Sequence, residues 1–282
     1  PDGFHLIAEA QRLAFQDRNR FLGDPDFIKV PLEKLLSKSF ALKRSEEIRF
    51  EKTIAATEAA PRPLALRSIN SSDNSPSSSP LPLEGGEDKG EGVETRANLP
   101  NGILVLENTQ TSHVSIIDEQ GNAVAFTTTI EHVFGSAMVV PGYGFVLNNE
   151  LTDFEAVPRN EKGELAANAA KGGKRPRSSM TPTFVFRDGR PFLIVGSPGG
   201  SKIIGTVLNV VVNVIDFGMP LEDALRAPRL INREGPVELE TELYGDTDLK
   251  KELERRGQSV VLNSVMGNVQ AVYFDSEKNK II

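Results

Sequence analysis

The sequence contains no cysteine and no tryptophan, and it has only three histidines and three tyrosines. Without cysteine there can be no disulfide, no thiolate metal site and no Cys nucleophile, and the redox compartment stays open. His5, His113 and His132 are scattered along the chain. A multi-histidine metal site is therefore not expected, and a Ser-His-Asp triad would have few candidate bases. The shortage of Trp and Tyr leaves few platforms on which a sugar could stack, which argues against a glycosidase. Positive charge is also in deficit: 32 Lys and Arg face 39 Asp and Glu, for a net charge of -7 and a pI near 5.2. A nucleic-acid partner is disfavoured on that ground. The best apolar run, Val207 to Val214, is too short to span a bilayer and is interrupted by Asn209 and Asn213.

What is present is ordinary globular material. The chain has 282 residues, 39% hydrophobic and 25% charged, enough for a large core or two modest ones. It enters a helical pattern directly from Pro1 and ends on Lys280-Ile281-Ile282. We read it as a fragment or a matured piece, so the lack of a signal peptide says nothing.

Phe4, Ile7, Ala8, Leu13, Ala14 and Phe15 recur at helical spacing and predict an amphipathic helix over 3–21. Gly23-Asp24-Pro25-Asp26 is expected to end it, with Gly23 as a left-handed cap. Pro31 opens a second helical stripe through Leu32, Leu35, Leu36 and Phe40, which continues in weaker, charged form to Phe50. From 59 to 98 the chain is rich in Ser, Pro, Gly and charge, with too little apolar surface to offset the entropy of ordering, and is expected to be a disordered linker or insertion.

A hairpin follows. Ser112 to Asp118 and Ala123 to Thr129 are rich in β-branched residues, with a Gly121-Asn122 turn between them. Gly144 to Leu147 is expected to be a short strand, and 158–173 a polar surface loop. Thr183 to Phe186 and Phe192 to Val195 form a second hairpin about Asp188-Gly189. Beyond it come an apolar helix from Ile203 to Phe217 capped by Gly218, a shorter helix over 221–227, and another from Leu249 to Arg256 stopped by Gly257. Ser259 to Leu262 and Val269 to Phe274 read as closing strands. Hairpins flanked by helices, without regular βαβ alternation, give an α+β class.

Four features carry candidate chemistry. Thr111, in Gln110-Thr111-Ser112-His113, stands between the unstructured tail and a rigid strand, where a self-cleaving nucleophile would sit; on this stretch alone the plainer reading, the first residue of a strand, is the stronger. Gly199-Gly200 lies between a strand and a helix N-terminus, where backbone N–H groups suit an oxyanion, or where a tight turn merely needs glycine. Glu150 and Asp153 could converge on a cation such as a substrate ammonium, or be a solvated helix-capping pair. Ser178-Ser179, after Lys174-Arg175-Pro176-Arg177, could take a carboxylate beside basic groups, or be a plain polar loop. Taken together they describe a site for an amino acid: acids for its amine, serines for its carboxylate, a Gly-Gly oxyanion hole and a Thr nucleophile.

That set resembles the γ-glutamyltransferases, or glutathione hydrolases, of the N-terminal-nucleophile hydrolase superfamily. The resemblance rests on five stretches in order: Phe21 to Phe27, Gln110 to His113, Leu147 to Phe154, Arg175 to Thr183 and Gly196 to Ser201. It implies an αββα four-layer sandwich, incomplete in this chain. It implies three parts: 1–58 as the helical end of a large subunit, 59–110 as the insertion and pre-cleavage tail, and 111–282 as the small catalytic subunit, with the two subunits forming a heterodimer after cleavage at Gln110–Thr111. Thr111 would then be nucleophile and, through its freed amine, general base. Thr129 would orient it, and Gly199 and Gly200 would stabilise the oxyanion. Glu131, Glu150 and Asp153 would hold the γ-glutamyl amine, and Ser178 and Ser179 the α-carboxylate.

The implied reaction is hydrolysis or transfer of the γ-glutamyl group of glutathione and related compounds to water, amino acids or dipeptides, without metal or cofactor, in a periplasmic or secreted setting. Glu131 stands where many members have Asn. The family's substrate-carboxylate arginine belongs to a region this chain does not contain. The competing readings are a glutaryl-amide (cephalosporin) acylase of the same family and a non-catalytic remnant that only binds glutamyl ligands.

Overall fold

The computed structural model describes residues 1–53, 109–159, 163–275 and 280–281. The expected insertion at 59–98 lies outside them. The described residues belong to one compact unit.

Helix α1 spans Asp2–Phe21 and turns Ala8, Leu13 and Phe15 inward together with the polar His5, Glu9, Gln11 and Arg12. The buried polar groups are largely partnered. Glu9 accepts from Arg12, Thr53 and Gln258, and Gln11 brackets a strand by donating to Leu230 O and accepting from Asn232 N–H. The second helical stripe is broken into α2 (Leu32–Leu35) and α3 (Lys38–Ser45) because Ser37 caps the latter, its hydroxyl accepting from Phe40 N–H. Gly23 does not take a left-handed conformation. A Cβ there would lie 2.3 Å from the Ala167 carbonyl oxygen, so glycine is needed for close approach.

The first hairpin comprises β1 (Thr109–Ile117) and β2 (Ala123–His132), longer than the sequence pattern indicated. The second comprises β3 (Thr183–Arg187) and β4 (Arg190–Gly196), joined through Asp188 and Gly189 at φ 52° and 75°, a two-residue turn of the kind that matches strand twist. Gly144 to Leu147 is not a strand; only a single bridge, Val139 to Val146, forms there. Then come α4 (Ile203–Ile215), α5 (Leu221–Arg226), β5 (Leu230–Ile231), β6 (Val237–Leu239), α6 (Thr241–Gly245), α7 (Thr247–Arg255), β7 (Val260–Leu262), β8 (Gln270–Asp275) and β9 (Lys280–Ile281).

Among the described residues the strands make three sheets: β1-β2, β3-β4-β8-β9 and β5-β6-β7. After Arg190, β4 is an apolar run from Pro191 to Gly196 because both of its faces are covered there. Leu193 and Val195 pack against Ile203, Val207, Val210 and Val214 of α4. On the other face, a Cβ on Gly196 would sit 2.2 Å from the His113 ring, so this glycine lets the β1-β2 hairpin lie close on the sheet. Helix, sheet and hairpin thus stack as α-β-β layers. A second cluster joins Ala8 of α1 to Leu230, Val237, Leu239, Leu249 and Leu253. Each fully buried Leu or Val contributes roughly 1.5–3 kcal/mol. Among the described residues no helix is long and apolar enough to cross a membrane.

Candidate active site

The hairpin register sets Thr111 directly opposite Thr129, and it shifts between Thr109 and Thr111. A bulge of this kind re-aims the chain locally. Here the Gln110 carbonyl comes within 3.2 Å of the Thr129 hydroxyl, which donates to it. The Thr129 oxygen accepts from the Thr111 hydroxyl at 3.0 Å and from Glu131 N–H at 2.9 Å. A hydroxyl has one proton and two lone pairs, so Thr129 is fully used. Glu131 adopts φ 71°, a left-handed conformation uncommon outside glycine, immediately beyond the pair.

Two asparagines set the acids. Asn149 donates to the His132 ring and accepts from His132 N–H, stapling the 133–149 loop to the end of β2. The following turn, Glu150–Asp153, is one 3-10 turn. Asn168 is buried; it donates to Asp153 O and accepts from Arg177 N–H, tying this turn to the 174–180 segment. Glu131, Glu150 and Asp153 end with carboxylate oxygens all within 4.8 Å of one another. Burial pushes the Glu150 carboxyl up to about 7, and the Asp153 and Glu131 charges push the same way. Asp153 is raised too, chiefly by burial, against the opposing pull of its hydrogen bond with Glu150 and of the charges on Arg18, Arg177 and His132. Such a trio has the makings of a receptor for a cation, whether an ammonium or a hard metal ion.

The basic run before Ser178 does not face the serines as its sequence suggested. Lys174 donates to the carbonyls of Ala167 and Ala169. Arg175 clasps Asp24 and Asp26, and Arg177 reaches Arg18 O and Glu155. The cation that does meet the pair is Arg18, from the last turn of α1: its Nη2 donates to Ser179 Oγ at 2.7 Å and to Ser178 O at 3.3 Å. The expected polar loop at 158–173 is only partly a surface feature, since Asn168 and Ala169 are buried.

Gly199 and Gly200 follow β4 and open the 3-10 turn that leads into α4. Gly199 has φ 139° and lies against Gly267, where a Cβ would be 3.4 Å from the Gly267 Cα. The preceding Gly196 rests on His113, two residues from Thr111, so the turn begins at the layer that carries the threonine. Arg18 and Asn168 gave no signal in the sequence. Arg18 is one more charge on a helix, and Asn168 sits in an unpatterned loop.

The stacking of helix, sheet and hairpin is that of an α+β N-terminal-nucleophile hydrolase, and solved structures agree. A cephalosporin acylase from Bacillus halodurans aligns with 99% of this chain and 42% of its own, at TM-score 0.70 and 26% identity. A threonine-to-alanine variant of Helicobacter pylori γ-glutamyltranspeptidase aligns with 60% of this chain and 94% of its own, at TM-score 0.54 and 41% identity. The family model for gamma-glutamyltranspeptidase matches residues 1–281, and the chain belongs to that family. It is 37% identical over 275 residues to the glutathione hydrolase proenzyme of Escherichia coli. That match takes in 96% of this chain and 41% of the relative, so the chain spans well under half the length of the curated protein it matches.

Proposed function

We propose that this chain carries the catalytic part of a γ-glutamyltransferase or glutathione hydrolase that matures by cutting its own Gln110–Thr111 bond. The observation behind the proposal is the relay in which Thr111 Oγ–H donates to Thr129 and Thr129 donates to the Gln110 carbonyl. In the first reaction Thr111 Oγ attacks the Gln110 carbonyl carbon, the hydroxyl proton passes to the Thr111 nitrogen as the C–N bond breaks, and the acyl group moves to oxygen. Thr129 supports the charge that develops on the carbonyl oxygen. Water then hydrolyses the ester, leaving a Gln110 carboxylate and a free Thr111 amine.

In the second reaction that amine takes the Thr111 hydroxyl proton. Thr111 Oγ attacks a γ-glutamyl carbonyl, with the N–H groups of Gly199 and Gly200 toward the oxyanion. The departing amine receives the proton, and water or an acceptor amine resolves the γ-glutamyl ester. Glu131, Glu150 and Asp153 take the substrate ammonium, and Ser178 and Ser179 its carboxylate. No cofactor enters the scheme, and the cut yields a heterodimer of large and small subunits. On the family resemblance we assign it to the periplasm or the exterior of the cell.

The test is intact mass and N-terminal sequencing of a protein restored to the length of its relatives. A fragment beginning at Thr111, absent in Thr111→Ala along with all turnover, is expected; an uncut wild type would overturn the proposal. The acylase reading draws on the Bacillus halodurans likeness. A glutaryl amide has no ammonium, however, and would bring no positive charge to the acidic trio. Asp153→Ala is expected to cost γ-glutamyl hydrolysis and to spare any glutaryl hydrolysis.

A further inference from the structure

Ser178 and Ser179 are held differently. Ser178 Oγ accepts from the Met180 amide at 3.1 Å, an ordinary neutral hydrogen bond. Ser179 Oγ accepts instead from the Arg18 guanidinium at 2.7 Å, and the same nitrogen reaches Ser178 O. A guanidinium has donors only. Ser179 therefore cannot donate to Arg18, and its own proton must point elsewhere.

From this we infer that Arg18 is a positioning residue: it orients the Ser179 hydroxyl as a donor to the substrate carboxylate and fixes the Ser178 backbone beside it. The inference rests on the assignment of these serines to the carboxylate.

Three features support it. The bond is charge-assisted, which shortens it and polarises the O–H for onward donation. Burial and the nearby Arg177 bring the Arg18 group down only to about 10, so it stays charged at neutral pH. Arg18 is also braced, because its carbonyl accepts from Arg177 Nη1 at 3.0 Å, Arg177 N–H donates to Asn168, and Asn168 donates to Asp153 O. One connected set of hydrogen bonds thus runs from the carboxylate side of the site to the acidic trio. It joins α1, before the proposed cut, to loops after it.

A structural tie and a positioning role differ in what they do to substrate choice. The full-length, matured enzyme is assayed with a γ-glutamyl anilide and with the same compound bearing an α-carboxamide. In Arg18→Met, kcat/KM for the carboxylate substrate is expected to fall about 10- to 100-fold, mostly in KM, the range of one charge-assisted hydrogen bond. The carboxamide is expected to change by less than about threefold. Arg18→Lys, which keeps a donor and a charge, recovers part of the preference. Arg18→Met in a Ser179→Ala background adds little further loss.

Parallel losses on both substrates, or an unchanged preference, would overturn the inference. If Arg18→Met does not fold, Arg18→Lys and Arg18→Gln give the same comparison. A wild-type enzyme that hydrolyses γ-glutamyl anilide yet is indifferent between carboxylate and carboxamide would overturn the serine assignment beneath it.

Discussion

Burial holds a proton on Glu150 to about pH 7, and Asp153 and Glu131 reinforce it. Because the folded pKa lies above the ordinary 4.5, the protonated form favours the fold. That contribution is whole below the ordinary value and is lost as pH rises through about 7. Binding an ammonium asks the reverse, since it needs the carboxylate. KM for a γ-glutamyl substrate is therefore expected to rise as pH falls below about 7, by up to about tenfold per unit, and to level off above. A KM flat from about pH 5.5 to 8 would remove the trio from amine binding. Asp153→Asn should ease the Glu150 proton and shift the break in the profile downward, while costing affinity. Gly196 poses a steric question. An alanine Cβ would enter the His113 ring, whose nitrogens are engaged by Thr127 and Ser115. Gly196→Ala is expected to cost about 1–3 kcal/mol, as overpacking does, and to slow the proposed self-cleavage at Thr111, two residues from His113. Unfolding curves and a time course of the cut would show both; normal stability with normal processing would contradict the packing argument.

The turn after α1 works as a clamp rather than a helix cap. Asp24 is buried and accepts from Arg175 N–H and from both Nε and Nη2 of its guanidinium, which holds its carboxyl well below the usual carboxylate range. This contribution is present above the ordinary value of 3.8 and is lost as pH falls toward the lowered folded one. Asp24→Asn is expected to lower Tm at neutral pH and to lose acid sensitivity, so that the two Tm curves converge at low pH; parallel curves would refute the clamp. Sequence period was enough for α1, α4 and both hairpins, because each is long enough to repeat its pattern and Asp188-Gly189 fixes a turn. It was not enough for β5 and β6, since Leu230–Ile231 and Val237–Leu239 are too short to show alternation. Thr111, the Glu150 and Asp153 pair and Gly199-Gly200 stood out because of where they lie, at a strand edge, after an Asn-Asn pair and between a strand and a helix, whereas Thr129 and Glu131 entered only through the family resemblance. The cation behind Ser179 did not, because contact between residues 18 and 179 depends on how α1 docks. The basic residues beside the serines in sequence are all engaged elsewhere.

The stacking order leaves one apolar face open. Along the hairpin, His113, Ser115 and Thr127 turn inward, while Val114, Ile116, Val124 and Phe126 are 44%, 52%, 50% and 55% exposed. Four adjacent apolar side chains on one sheet face are more than a monomer usually presents, and such a patch marks a surface that something covers. In a layered fold a sheet must be buried on each apolar face, and the chain spans 41% of the Escherichia coli relative's length. Ile116→Thr with Phe126→Ser should therefore act in opposite senses in two settings. In this chain alone, the pair should reduce self-association and dye binding without loss of stability, since the side chains leave water no further. In a protein extended to the length of the relatives, covering of the face would make the pair cost roughly 2–5 kcal/mol, the range for large buried apolar truncations. Light scattering on the former and denaturant unfolding on the latter give the two signs. A full-length protein indifferent to the pair would mean that the face stays open there too, and that the hairpin is an outer layer of the molecule.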